Sequence, residues 1–248
     1  LEIITERLKR EFNLELTVTS PSISYQIVDK ATGKEETIAS PHLFPENLKQ
    51  ETILEPWAEA NIITPTSYLE LILKMLNSHE AIPMSTTTLS HSRSSLTIEL
   101  PLRELMRGFF NELKSISSGY ASLSYHLIGL READVAKLEI LITEEVEPAL
   151  TRIVSRSRLN KDAEDLVERL RELLPRQLFI IKIQARALGR IIASRSISAM
   201  KKDVTDYLYG GDITRKMKLR EKQKKGKKKM QARASMKIPH DVFVKLLG

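Results

Sequence analysis

The sequence predicts an α+β fold, and three observations carry that prediction. Some stretches alternate apolar and polar residues, as half-buried strands do; others repeat apolar residues at helical spacing. The two kinds succeed one another as β-α-β-β-α-β over residues 54–130. That order is the split βαβ or ferredoxin-like arrangement, an antiparallel sheet with both helices on one face. A smaller α+β domain with a basic helix is predicted after it, and the end of another domain before it.

At the start, Leu1, Ile4, Leu8 and Phe12 share one helical face, with Glu2, Glu6, Arg7, Lys9 and Arg10 around the rest. Leu14, Leu16 and Val18 alternate with polar residues, as in a strand. After Pro21, Ile23, Tyr25 and Ile27 alternate again, and residues 29–33 read as a turn. So few elements bury little surface and would be marginal alone. They read as the end of a domain, and the chain as the C-terminal part of something longer. Residues 39–52, with Pro41 and Pro45, read as a linker.

The central unit opens with a strand over residues 54–63. Thr64-Pro65 then predicts a helix N-cap with proline in the first turn. Tyr68, Leu71, Ile72, Met75 and Leu76 make that helix's apolar face. A weak strand near Ile82 leads into a Ser/Thr-rich segment over residues 85–95. Leu96, Ile98 and Leu100 alternate, and Pro101 opens a second helix. Leu102, Leu105, Met106, Phe109, Phe110, Leu113 and Ile116 line one of its faces, and Gly119 suits its C-terminal cap. A strand over residues 120–130 comes after it, with Ala121, Leu123, Tyr125 and Leu127 on one side.

Next come a strand over residues 138–142 and an acidic turn over 144–147. Asn160 is expected to cap a helix whose apolar stripe is Leu159, Ala163, Leu166, Val167, Leu170, Leu173 and Leu174, ended by Pro175. Asp162, Glu164 and Asp165 sit in its first turn, where the helix dipole favours anions. Residues 178–185 and 190–193 read as strands joined near Gly189. Ile197, Met200, Val204, Tyr207 and Leu208 predict a last packed helix, broken by Tyr209-Gly210-Gly211-Asp212.

Beyond that break lies the strongest compositional signal in the chain. Residues 215–233 hold eleven Lys or Arg and one acid, Glu221. Their net charge of +10 exceeds the +7 of the whole chain. Such a block is either a footprint for a polyanion, most often nucleic acid, or a solvated basic tail. Like charges such as Lys218 and Lys222 oppose a helix by a few tenths of a kcal/mol per pair, and Gly226 weakens it further. The segment is therefore expected to fray alone and to order on a polyanion. The apolar Ile238-Pro239-His240-Asp241-Val242-Phe243-Val244-Lys245-Leu246 could dock back and, with the packed helix before the Gly-Gly-Asp break, fix both ends of the basic stretch.

The chain has 248 residues and no cysteine, so it has no disulfide, thiolate nucleophile or Cys-based zinc site. No run of eighteen apolar residues appears. There is no G-x-x-x-x-G-K-[ST] nucleotide loop and no G-x-S-x-G elbow. His42, His79, His91, His126 and His240 are scattered without metal spacing. The reading assigns no catalytic residue and no metal ligand. Arg186, Arg190, Arg195, Lys201 and Lys202 add basic residues ahead of the basic block, where plain surface charge also explains them.

Several motifs together resemble one family. Tyr209-Gly210-Gly211-Asp212-Ile213-Thr214-Arg215-Lys216-Met217-Lys218-Leu219, the lysine run to Met230, and Ile238-Pro239-His240-Asp241-Val242-Phe243 resemble the C-terminal end of elongation factor 4, the LepA-type translational GTPases. Leu1-Glu2-Ile3-Ile4-Thr5-Glu6-Arg7-Leu8 looks like the closing helix of that family's third domain. Glu55-Pro56 and Ile62-Ile63-Thr64-Pro65 look like the start of its domain V, continued by Glu99-Leu100-Pro101-Leu102 and Gly119-Tyr120-Ala121-Ser122. Leu174-Pro175-Arg176-Gln177 and Ile191-Ile192-Ala193 resemble its own C-terminal domain. Elongation factor G carries an extra domain where this chain has only a short linker. Two stretches depart from the pattern: Ser155 stands where the family usually has His, and Gln184-Ala185-Arg186-Ala187 is unusual.

The resemblance implies four parts. Residues 1–38 would be the remnant of a domain III-like, second ferredoxin-like domain; 39–53 a linker; 54–134 a domain V-like ferredoxin fold; and 135–248 the family-specific C-terminal domain, with its RNA-binding segment at 213–233. It implies a ribosome-binding factor acting in back-translocation, translational fidelity or ribosome biogenesis. Partners would be large-subunit rRNA and tRNA, with peripheral contact to anionic membrane, and the chain a monomer. GTP and Mg2+ would belong to a GTPase domain absent from this chain. The phosphate contacts would come from Arg215, Lys216, Lys218, Arg220, Lys222, Lys224, Lys225, Lys227, Lys228 and Lys229, with Arg190, Lys201 and Lys202. The location implied is the bacterial cytoplasm or the periphery of the inner membrane, or else the mitochondrial matrix. Two other classes stay open: an enzyme acting through this chain itself, and a basic scaffold that binds RNA or anionic lipid.

Overall fold

A computed structural model describes residues 2–14, 21–45, 51–200, 213–231 and 238–247. The chain divides into two units, residues 20–135 and residues 1–19 with 136–248, each with its own antiparallel sheet.

In the first unit, β1 (Tyr25–Asp29) and β2 (Glu35–Ile38) form a hairpin. Its turn is closed by Asp29, whose Oδ1 accepts the backbone N–H of Ala31 at 2.7 Å and of Thr32 at 3.2 Å. The spine of the sheet is β3 (Glu51–Pro65), which pairs with three strands. Its first residues pair with β1, from Gln26–Leu54 to Asp29–Glu51. The rest pairs with β5 (Arg93–Pro101) and with β6 (Ser122–Glu132). β4 (Ile82–Ser90) completes the order β2-β1-β3-β5-β4.

The sequence reading separates residues 1–38 from 54–134 by a linker. In the structure the β1–β3 pairing carries one sheet across that stretch, and Phe44 is buried there edge-on against Tyr25. Two prolines spaced by polar residues look like a linker locally; the strand pairing on either side is not a local property.

The core follows the predicted α+β pattern. Ala58, Ala60 and Ile62 on β3 and Leu96, Ile98 and Leu100 on β5 point to the same side. They meet Ile72, Met75 and Leu76 of α2 (Leu69–Leu76), with Leu105, Phe109 and Leu113 of the second helical stretch. That α2 starts later than Thr64-Pro65 predicts. β3 runs through Pro65, Thr64 is buried opposite Ser94, and residues Thr66–Tyr68 form a 3-10 turn before the helix. The Ser/Thr-rich segment is strand too: β4 takes it into a hairpin with β5, where its β-branched threonines suit the pleat.

The second helical stretch is three pieces, α3 (Leu102–Glu104), a wide π-type turn (Leu105–Phe109) and α4 (Phe110–Ile116). The wide turn centres on Gly108, whose φ of 116° only glycine adopts without strain. It keeps Leu105, Phe109 and Leu113 buried but turns Met106 and Phe110 out to solvent, so the seven-residue face expected there is only partly formed. Gly119 does cap the stretch: its φ is 83° and its N–H donates to Lys114 O at 2.7 Å. On β6, Ala121 is buried beside the strand start, but Tyr125 is 50% and Leu127 59% exposed. No strand pairs with the far edge of β6 among the described residues, so the apolar side overhangs the core there.

In the second unit α1 (Glu2–Phe12) forms as predicted, yet Ile4 and Phe12 of its apolar face are each 63% exposed. The expected strand at Leu16 and Val18 lies outside the described residues. The sheet order is β11-β10-β7-β8, with β9 also on β7. These are β7 (Val135–Ile142), β8 (Glu145–Val146), β9 (Arg152–Ser155), β10 (Ile181–Ala187) and β11 (Arg190–Ile197). α5 (Leu159–Leu173) lays Leu159, Ala163, Leu166, Val167 and Leu170 on the core formed with Leu138, Ile140, Ile181 and Ile183. Asn160 does not cap it. The helix already includes Leu159, which is buried, and Arg158 stands at the cap position. β10 begins at Ile181 rather than 178, and Ile197 ends β11 instead of opening a helix. Val204, Tyr207 and Leu208 lie outside the described residues, as does the Tyr209–Asp212 break.

Candidate nucleic-acid interface

The basic block is helical. α6 (Ile213–Gln231) has ten Lys or Arg and Glu221 as its one acid. Arg215, Lys218, Arg220, Lys222, Lys224 and Lys225 are exposed and Lys216 is half-buried. Lys227, Lys228 and Lys229 continue the same helix. A helix normally forms in a protein because an apolar stripe packs. Here charge runs along nearly the whole length, and self-repulsion between neighbouring turns is the dominant local force.

Its downstream neighbour is anchored. α7 (His240–Leu247) buries Val242, Phe243 and Leu246 in the core of the second unit. Arg169 on α5 donates from Nη2 to the carbonyl of Lys245 at 3.3 Å. The docking expected of this C-terminal segment is therefore formed.

Of the remaining basic residues singled out from the sequence, Arg190 opens β11 and is exposed. Lys201 and Lys202 lie outside the described residues. Arg186 and Arg195 are engaged within the unit. Arg186 donates to Glu139 Oε2 from Nε at 2.9 Å and from Nη2 at 2.6 Å, and Lys137 Nζ stands 3.1 Å from Glu139 Oε1. Burial would push the Glu139 carboxyl up, but the hydrogen bonds and charges of Arg186 and Lys137 hold it below the usual range. Arg195 donates to Glu168 at 2.8 Å. The unusual Gln184-Ala185-Arg186 run thus has a structural use: Gln184 and Ala185 are buried in β10 and Arg186 neutralises Glu139. Ser155 is buried, with its Oγ 2.9 Å from Ser157 Oγ.

Sequence reasoning missed a charged cluster inside the first unit. Arg103, buried, pairs with Glu55 and Glu80, and its Nε lies 3.6 Å from Glu104. Arg107 reaches Glu104 at 2.8 Å. His79 stands between Glu104 and Glu112 and packs edge-on against Phe109, ring centroids 5.1 Å apart. Burial raises the Glu55 carboxyl despite its bond from Arg103. Burial would raise Glu104 as well, but the His79 hydrogen bond and the charges of Arg107 and Arg103 outweigh it and lower it. Burial, with Glu55 close by, pushes the Tyr25 hydroxyl upward. These side chains pair with one another inside a folded unit and tie helix to sheet, although Glu55 Oε2 and Arg103 Nε are buried without a hydrogen-bond partner. The adjacent Arg103-Glu104 and the Arg107 one turn on were the available hint, because three charges in the first turns of a helix with a broad apolar face call for partners.

The family model described as "Elongation factor G C-terminus" matches residues 52–141, and the one described as "GTP-binding protein LepA C-terminus" matches residues 142–248. The two meet at the end of β7 and together take in both cores and α6. The chain is the C-terminal portion of a LepA-type elongation factor. Its mixed α+β architecture of two antiparallel sheets agrees with that family. Among solved structures, a crystal structure of the Thermus thermophilus protein ttk003000868 is similar at 17% identity and a TM-score of 0.32. The similarity covers 34% of this chain and 12% of that one. Within the LepA-type portion, α6 and α7 fall inside the LepA C-terminus match, and the Arg103 cluster inside the elongation factor G match.

Proposed function

We propose that this LepA-type portion binds the ribosome, with α6 set against phosphates of large-subunit rRNA or of tRNA. The observation that supports the reading most is α6 itself, a helix of nineteen residues with ten cations, followed in the chain by a helix anchored in the core. Phosphate contacts position a protein and carry little sequence information, so the shape of the RNA governs recognition. The reading places GTP hydrolysis and Mg2+ on a GTPase domain distinct from the domains described here, and the chain acts as its RNA-contacting arm in elongation or ribosome biogenesis. It also makes the chain a monomer working in the cytoplasm or in a mitochondrial matrix.

The test is binding of the chain to ribosomes and to tRNA across a salt series. Neutralising about eight phosphates gives a log K against log[salt] slope of roughly −6 to −7. Affinity independent of salt would remove the proposal. Anionic vesicles competing as well as RNA would move the helix to a lipid-binding role.

A further inference from the structure

Over residues 213–226 the cations of α6 are not spread evenly around the helix. Successive residues of an α-helix advance by about 100°. Lys216, Arg220 and Lys224 therefore form one row. Arg215, Lys218, Lys222 and Lys225 form a second, and the two rows are centred about 180° apart. On one side an uncharged strip of Leu219, Gln223 and Gly226 separates them, and all three are half-buried. On the opposite side lie Thr214, Met217 and Glu221, all exposed. So the outward edge of this stretch carries the helix's one acid, and the cations lie on the two flanks.

A helix adapted to one phosphate backbone gathers its cations on one side. With opposed rows, only one row can reach such a backbone while the other stays in solvent. Both rows are satisfied when phosphates stand on both flanks, about a helix diameter of 10–12 Å apart. Regular RNA duplex does not offer that space, because its major groove is deep and narrow and its minor groove is shallow. Glu221 on the outward edge agrees with phosphates at the sides rather than in front, since a phosphate there would be repelled.

We propose, resting on the RNA-binding reading above, that α6 is a wedge between two phosphate backbones. Its ligand is RNA whose backbones are splayed apart, at a helical junction or a groove widened by a bulge.

The experiment measures affinity of the full chain, across a salt series, for three RNAs of equal nucleotide number. They are a single strand, an uninterrupted duplex and a three-way junction. The junction is expected to bind at least about ten-fold more tightly than the duplex at equal salt. Two triple variants, Lys216→Gln/Arg220→Gln/Lys224→Gln and Lys218→Gln/Lys222→Gln/Lys225→Gln, should each lower the junction slope by about 2 to 3. Gln has nearly the helix propensity of Lys and Arg, and circular dichroism checks that each variant keeps its helix. Equal affinity for duplex and junction overturns the wedge, and so does a variant of either row that keeps the whole slope. In those outcomes salt-dependent RNA binding persists and the broader reading stands. Absence of salt-dependent binding to any of the three RNAs overturns both.

Discussion

Nδ1 of His79 lies 2.9 Å from Oε2 of Glu104, and both side chains are buried. The other ring nitrogen lies 2.8 Å from Oε2 of Glu112, so one imidazole ties the end of α2 to both α3 and α4. The fold unit thus carries a polar clamp inside an apolar core, and a polar group deprived of its partner there is costly. His79→Leu should destabilise the first unit by about 1–3 kcal/mol. Urea unfolding at neutral pH checks it, and an unchanged midpoint would show that the clamp contributes nothing.

In the second unit the informative carboxylate is Glu139. Its folded pKa lies below the ordinary 4.5 because Arg186 and Lys137 outweigh its burial. Above pH 4.5 both folded and unfolded chains carry the charge and the stabilisation is complete. As pH falls, the unfolded chain takes up the proton first, and stability is lost until the folded pKa is passed. Glu139→Gln should lower stability at pH 7 by about 1–3 kcal/mol and flatten the acid side of the profile. A variant with the wild-type acid slope would place the proton uptake elsewhere.

Two glycines should respond in opposite directions. Gly108 has a φ of 116° with nothing within 4 Å of an added Cβ, so Gly108→Ala meets conformational strain and not a clash. It should cost about 1–3 kcal/mol. Gly226 sits in α6 with open space around it and no positive φ. Gly226→Ala should strengthen that helix by up to about 1 kcal/mol. Thermal melts read the first substitution and amide exchange across residues 213–231 reads the second. Equal effects of the same sign would contradict the backbone assignment.

Phe243→Ala removes the largest apolar side chain that α7 places in its core. A loss of about 3–5 kcal/mol is expected from the second unit. If α6 contacts RNA as proposed, the same variant should weaken RNA binding, because α7 is the anchored element that comes after α6 in the chain. Destabilisation without any change in RNA affinity would separate the anchor from the basic helix.

Elements with a strong local period could be read from the sequence. The alternation along β3 and β5 and the stripe on α5 have the burial the pattern demands. So do the Asp29 turn, the Gly119 cap and the docking segment of α7. The features that escaped depend on residues far apart in the chain. The pairing of β1 with β3 bridges two prolines, and Glu55, Glu80 and Arg103 meet only once β3 and α3 are packed. The wide turn at Gly108 escaped because a single glycine in a helical pattern carries no φ. For the candidate interface, the charge was plain in composition. The division of that charge into two rows exists only after the segment is fixed as a helix, and Lys201 and Lys202 stay outside the described residues.

The long strand β3 also bears on how the chain is made. Its partner β6 lies far downstream, with Leu54 opposite Glu132 and Ile63 opposite Ser122. During synthesis β3 emerges well before β6, while the β4–β5 hairpin and the neighbouring helices can already form locally. For that interval one side of the sheet is an open row of backbone donors and acceptors, a template for pairing with another chain. Closing the loop to β6 adds the last and least local ladder, the kind of contact that slows folding. The interval in which β3 waits for β6 is therefore where this half of the molecule is most exposed to misassembly.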